Sequence, residues 1–191
     1  MRRFQILSLF ASVLAGSALI ASSTFAQTTP AQTAPQNTPP VGAGQGSEAA
    51  ASLSDVEFVT KAATGNRYEI EAARIAVAKA TGPKVKDFAG MLAKDHVEIL
   101  EDLGKSAKEA GVAMPAEFMP DAAQRARLEA LETKPDAQFD AAFTADMKKA
   151  HDDSLALLTR YMHTGKNPKL QAWAAKWLPT VQKHRDTLTE M

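Results

Sequence analysis

Between Ser54 and Met191 the apolar residues recur at alternating steps of three and four, the period of a helix buried along one face. The first stripe is Val56, Val59, Ala63, Asn66, Ile70, Ala73, Val77 and Ala80. Ser54 with Glu57 makes a capping box ahead of it, and Leu53 with Phe58 is spaced as a hydrophobic staple. Thr81-Gly82-Pro83 stops this helix, with Gly82 suited to a left-handed cap and Pro83 to the first turn of the next. The second stripe is Val85, Phe88, Ala89, Leu92, His96, Ile99, Leu100 and Leu103, ending at Gly111. About two dozen residues follow, interrupted by Pro115, Pro120 and Pro135, with a short helix predicted over Asp121 to Glu132. A third long helix runs from about Asp136 to Gly165 with Phe139, Phe143, Met147, His151, Ser154, Leu158 and Tyr161 inward. The fourth opens on Asn167 as cap and Pro168 at its first position. It carries Leu170, Trp173, Trp177, Val181, His184 and Leu188, and Pro179 predicts a kink within it. Two short-turn hairpins joined by a long connection that contains a short helix describe an all-α fold, a four-helix bundle of ferritin-like topology.

The chain ahead of this domain changes the picture of where the protein works. Met1-Arg2-Arg3, the apolar run Ile6 to Ile20 and the small residue closing Thr24-Phe25-Ala26 read as a secretory signal peptide over residues 1–26. Residues 27–52 are rich in Ala, Pro, Gln and Thr, a composition that buries too little apolar surface to offset the entropy of ordering, and are expected to be a disordered spacer. The bundle then occupies 53–191. The expected location is outside the cytoplasm, in the periplasm or against the outer membrane, with no membrane span in the mature chain. There is no cysteine, which excludes disulfides, thiolate ligands and thiol catalysis together. Loss of the signal leaves 20 basic against 22 acidic residues, a net charge of −2, so no basic surplus invites nucleic acid.

The candidate chemistry lies in the histidines. Three of the four, His96, His151 and His184, sit in mid-helix on the apolar stripes of three different helices. A ring aimed into a core is costly unless something pairs with it. Register places them at one depth. Glu69 lies 13 residues before Gly82 and His96 lies 14 after it, so on antiparallel neighbours both sit about 20 Å from the turn. His151 lies 14 residues before Gly165 and His184 lies 17 after Asn167, again near the middle. Glu69 flanks the first stripe beside Ile70 and can lean into the same layer, whereas Glu71 points further outward. His163, beside the Gly165 turn, is expected to be exposed.

Several runs carry a family resemblance: Phe58-Val59 to Glu69-Ile70-Glu71, Val85-x-x-Phe88-Ala89-x-x-Leu92-x-x-Asp95-His96, and Gly111-Val112 with Pro115. Phe139-Asp140 leading to His151, and Leu178-Pro179 leading to His184, complete the set. In these the chain resembles the bacterial envelope family filed as domain of unknown function 4142, often labelled predicted outer-membrane protein. The resemblance spans nearly all of Ser54 to Met191. It implies a ferritin-like bundle outside the cytoplasm and brings no established activity.

From the residues themselves, one reading is a transition-metal site made by His96, His151 and His184, with Glu69 or Asp95 as a fourth ligand or a partner. Three neutral imidazoles and a carboxylate suit Zn, Cu(II) or Fe(II), and Met147, one turn before His151, would favour copper if its sulfur reached the ion. A carboxylate-bridged di-iron centre is disfavoured, because it needs Glu-x-x-His on two helices and the residues three before these histidines are Ala93, Lys148 and Val181. Di-iron oxidase chemistry is therefore disfavoured. The other reading is a buried polar layer in a non-catalytic envelope interaction or stress-protective module, the imidazoles hydrogen-bonding to Glu69, Asp95, Asn66 or water. Hydrolytic chemistry has little support: Ser154 is the one serine near a core histidine, and no glycine-rich elbow surrounds it. Trp173 and Trp177, four apart, fit core packing better than a cofactor stack.

Overall fold

The computed structural model describes residues 53–191; the segments read as signal and spacer lie outside the described residues. Five helices make up the domain: α1 (Asp55–Lys79), α2 (Pro83–Glu109), α3 (Ala122–Glu132), α4 (Asp136–Thr164) and α5 (Pro168–Thr189). The four long helices form a bundle in which α1 packs on α2 and α4, and α5 packs on α2 and α4. The short α3 sits against α1 and α4. None of these helices is long and apolar enough to cross a membrane.

Local sequence chemistry sets the ends. Ser54 caps α1 through the Glu57 amide, and the Glu57 carboxylate accepts from the Ser54 backbone in return, completing the capping box. Asp121 and Gln124 do the same for α3. Pro83 and Pro168 occupy first turns, where a missing N–H costs nothing. α2 ends in a Schellman motif: Gly111, at φ 71°, donates to Lys108 O, and Val112 donates to Ala107 O at 2.9 Å. α5 continues through Pro179 as one helix.

Gly82 departs from expectation. Its φ is −79°, so no left-handed cap exists at this turn. The reason for glycine is proximity: a Cβ there would lie 2.9 Å from Asp140 Oδ2. Asp140, on α4, accepts hydrogen bonds from the Gly82 amide at 2.7 Å, the Thr81 amide at 3.1 Å and the Thr81 hydroxyl at 3.0 Å. Those bonds hold its carboxyl below the usual range against the opposing effect of desolvation. A side chain from a distant helix thus ties down the turn that leads into α2.

The buried face of α1 keeps Val59, Ala63, Asn66, Ile70, Ala73 and Ala80 of the predicted stripe and is broader than it. Val56 and Val77 are exposed at 60 % and 40 %, while Phe58, Ala62, Tyr68, Glu69, Ala72 and Ala76 are buried. α1 packs against α2, α3 and α4 and therefore buries a broad arc rather than one narrow line. That breadth takes Glu69 from the flank of the stripe into the interior. On α2, α4 and α5 the predicted apolar positions are buried, except that Leu100 and Ser154 are half-buried.

The interior consists of two apolar clusters separated along the bundle axis. One includes Ala72, Ala76, Phe88, Leu92, Phe143 and Met147, and the other Phe58, Ala63, Ile99, Leu103, Trp173 and Val181. Between them, on each long helix, lies a polar residue: Glu69, His96, His151 and His184.

Removing the Asp140 carboxylate leaves two backbone donors at the α1–α2 turn dependent on water, so Asp140→Ala is expected to destabilise the domain by about 1–2 kcal/mol. Gly82→Ala displaces the same carboxylate, so in urea unfolding the double variant should lose less than the two singles added together.

Candidate metal centre

The four polar residues of the central layer come from four helices and are each at most 1 % exposed. The ring centroids of His96, His151 and His184 form a nearly equilateral triangle with sides of 5.5, 5.4 and 5.5 Å. One ring nitrogen from each lies within 4.8 Å of the other two.

The outer nitrogens are all engaged. His96 Nδ1 is 2.9 Å from Glu69 Oε2 and 2.9 Å from Asn66 Oδ1, two acceptors that make it a donor. The Asn66 amide group in turn donates to Ala62 O at 2.7 Å, which orients its oxygen toward the ring. His151 Nδ1 donates to Met147 O at 2.8 Å and is 3.6 Å from Glu69 Oε1. His184 Nε2 donates to Asp95 Oδ2 at 3.0 Å. Each bond places a ring N–H on the outer side, so that His96 Nε2, His151 Nε2 and His184 Nδ1 are the nitrogens left to offer lone pairs toward the centre. These three atoms are buried and have no hydrogen-bond partner among the described residues. Phe88 borders the layer edge-on to His184, at 6.2 Å between centroids.

Burial governs the charges. It pushes the His151 ring below its usual value, outweighing the attraction of Glu69. It takes His184 down to about 4, helped by the neighbouring His96 and opposed by the Asp95 hydrogen bond. Burial alone would raise Glu69, but the attraction of His96 and His151, with the His96 hydrogen bond, outweighs it and holds the carboxyl below the ordinary range. Ser154 Oγ, 3.4 Å from Glu69 Oε1, is a further donor to that carboxylate.

All five residues singled out from the sequence meet here, in different places. The three histidines form the centre. Glu69 and Asp95 stand behind ring nitrogens, as hydrogen-bond acceptors that orient and enrich the imidazoles. Asp95 is half-buried at the rim, and Glu71 turns away to pair with Arg67 at 2.7 Å. His163 is exposed. Met147 enters through its carbonyl, a contribution to which side-chain identity is blind. Trp177 packs in the core with its indole N–H on Asp102 at 2.8 Å. Trp173 Nε1 is buried without a partner, and only the three-dimensional arrangement exposes that.

Fold and site together define a four-helix bundle whose core is divided by a buried histidine–carboxylate layer. Residues 41–191 match the family described as domain of unknown function DUF4142, and the chain belongs to that family. A comparison with curated proteins gives no match. Among solved structures it is similar to a DUF305 fragment from Deinococcus radiodurans, 16% identical with a TM-score of 0.62, covering 71% of this chain and 92% of that one. It is also similar to CopM in the Cu(I)-bound form, 16% identical with a TM-score of 0.60, covering 72% of this chain and 94% of CopM. For the Cu(II)-bound form the identity is 16%, the TM-score 0.62 and the coverage 73% and 95%. At this identity the likeness is one of fold.

Burial holds the His151 and His184 rings neutral in the folded state below the pH at which unfolded histidine takes up a proton. Stability of the metal-free protein is therefore full above about pH 6.5 and falls as the pH drops toward 4, where His184 itself protonates. Thermal melts followed by circular dichroism should show this decline, and His184→Phe should flatten part of it.

Proposed function

We propose that the protein binds one transition-metal ion in the middle of the bundle, through His96 Nε2, His151 Nε2 and His184 Nδ1, as an exported protein of the bacterial envelope. The observation that carries this reading is the trio of buried imidazole nitrogens, clustered in one layer and each stripped of a hydrogen-bond partner. In a purely structural polar layer, ring nitrogens would be paired with one another's N–H groups or with nearby side chains. Here every N–H is taken up on the outer side, by Glu69 or Asn66, by Met147 O and by Asp95. A cation is the partner that three lone pairs accept at once. It also offsets the Glu69 carboxylate, which is buried.

The dimensions suit an ion after modest closure. Bonds of about 2 Å set nitrogens about 3.5 Å apart around a common metal, compared with the 4.8 Å within which one nitrogen of each ring lies of the other two. Each ring would move inward by several tenths of an ångström. Three imidazoles accommodate Zn, Cu or Fe(II), and copper is the favoured member. It heads the affinity order for nitrogen donors, Met147 is fully buried one turn from His151, and CopM, which shares the fold, is named in Cu(I)- and Cu(II)-bound forms. No catalytic group is assigned.

Protein purified without a His-tag or added metal is expected to carry, or take up on titration, about one equivalent of transition metal by mass spectrometry. Less than about a tenth of an equivalent, with no uptake, would end the reading. Glu69→Gln and Asp95→Asn should each weaken binding by about 10–100-fold while leaving the helical content unchanged, since they act through the ligands' orientation and basicity. His96→Ala, which removes a ligand, should weaken it more.

A further inference from the structure

A centre this deep needs a way in, and two adjoining spaces on one side of the bundle supply it. A surface cleft of about 420 Å³ runs between α1 and α4, bordered by the start of α3 at Asp121 and Gln124. Beneath it a chamber of about 30 Å³ reaches His96 and Asn66. The two share five lining residues: Lys61, Gly65 and Glu69 of α1, and Ser154 and Leu157 of α4. We infer that metal ions reach and leave the histidine centre through this α1–α4 cleft, passing over Gly65 and between Glu69 and Ser154. This inference rests on the metal-binding reading above.

Three features support the route. The first is space at Gly65: a Cβ built there meets no atom within 4 Å, so the helix surface is open where the cleft narrows toward the chamber. The absence of a side chain at a half-buried position of α1 is otherwise unfavourable, since glycine in a helix interior is weaker than alanine. The second is chemistry along the path. The Glu69 carboxylate lines both spaces and also hydrogen-bonds His96, so an ion exchanging its hydration shell meets a negatively charged oxygen before it meets the rings. Ser154 Oγ, 3.4 Å from Glu69 Oε1, lies on the opposite wall. The third is the chamber itself. Its volume accommodates about one water molecule, and its walls include Glu69, Asn66 and Trp173, whose buried indole N–H has no partner. Such a space is polar enough to be hydrated and to admit an ion.

The chain's two tryptophans, Trp173 and Trp177, both line the chamber, so quenching of their fluorescence by Cu(II) reports arrival at the centre. In stopped-flow mixing of full-length protein with Cu(II), Gly65→Leu is expected to slow quenching by about tenfold or more, and Gly65→Ala by less. Equilibrium affinity and stoichiometry should stay at the wild-type level, so release to a chelator should slow in the same proportion. Gly90→Leu, on the exposed face of α2 and equally free of neighbours, should load at the wild-type rate. Thermal melts establish that each variant is folded. Wild-type loading rates in a folded Gly65→Leu that still binds one ion would overturn the route and leave the metal centre standing. A protein that binds no ion at equilibrium, with or without the substitution, would overturn both.

Discussion

Three imidazole lone pairs left unpaired in one buried layer are the constraint around which the bundle is arranged. A buried neutral histidine is tolerable when both nitrogens are satisfied, and each of these rings is satisfied on one side only. The outward hydrogen bonds are therefore more than packing detail. By engaging the N–H of each ring, Glu69, Asn66, Met147 O and Asp95 select the tautomer and leave the remaining nitrogen basic. The same layer divides the apolar interior, so that side chains above and below it belong to separate clusters.

Helix ends and tertiary ties keep the four contributing helices in register. A sliding of one helix by a single turn would move its polar residue about 5 Å out of the layer and drive it into apolar surroundings. Asp140 fastens the α1–α2 turn to α4, and Tyr161 stacks on Phe58 at 3.8 Å while its hydroxyl donates to Asp55. At the other hairpin Asn167 caps α5 and donates to Ala110 O at the end of α2. The short α3 is tied down by Arg127, which bonds Asp146 at 2.7 Å and lies over the Tyr68 ring. Each tie links elements distant in sequence, and together they define the depth at which the rings meet.

Much of this is legible in the chain. Periodicity and capping residues give all five helices with ends within a residue or two, because capping boxes and first-turn prolines are local chemistry. Counting from the turns is enough to bring Glu69, His96, His151 and His184 to one level, because rise per residue is nearly constant. What eludes the sequence depends on neighbours. The inward face of α1 is set by three packing partners rather than by its own pattern, which is why Val56 and Val77 mislead and why Glu69 is buried more deeply than a flanking position suggests. Gly82 looks like a backbone signal and is instead a matter of clearance for Asp140. The division of labour between ligand and supporting acceptor is decided by which ring nitrogen each carboxylate meets, and spacing along a helix carries no such information.

The three rings are not supported alike. His96 and His184 lean on carboxylates, while His151 leans chiefly on a peptide carbonyl of its own helix. The first two supports can be lost or altered by changing one codon, but a main-chain oxygen survives every substitution at position 147 that preserves the helix. The donor set therefore has one invariant member and two adjustable ones. Related sequences have room to vary the electron richness of two ligands, and with it the hardness of ion they prefer, without disturbing the third.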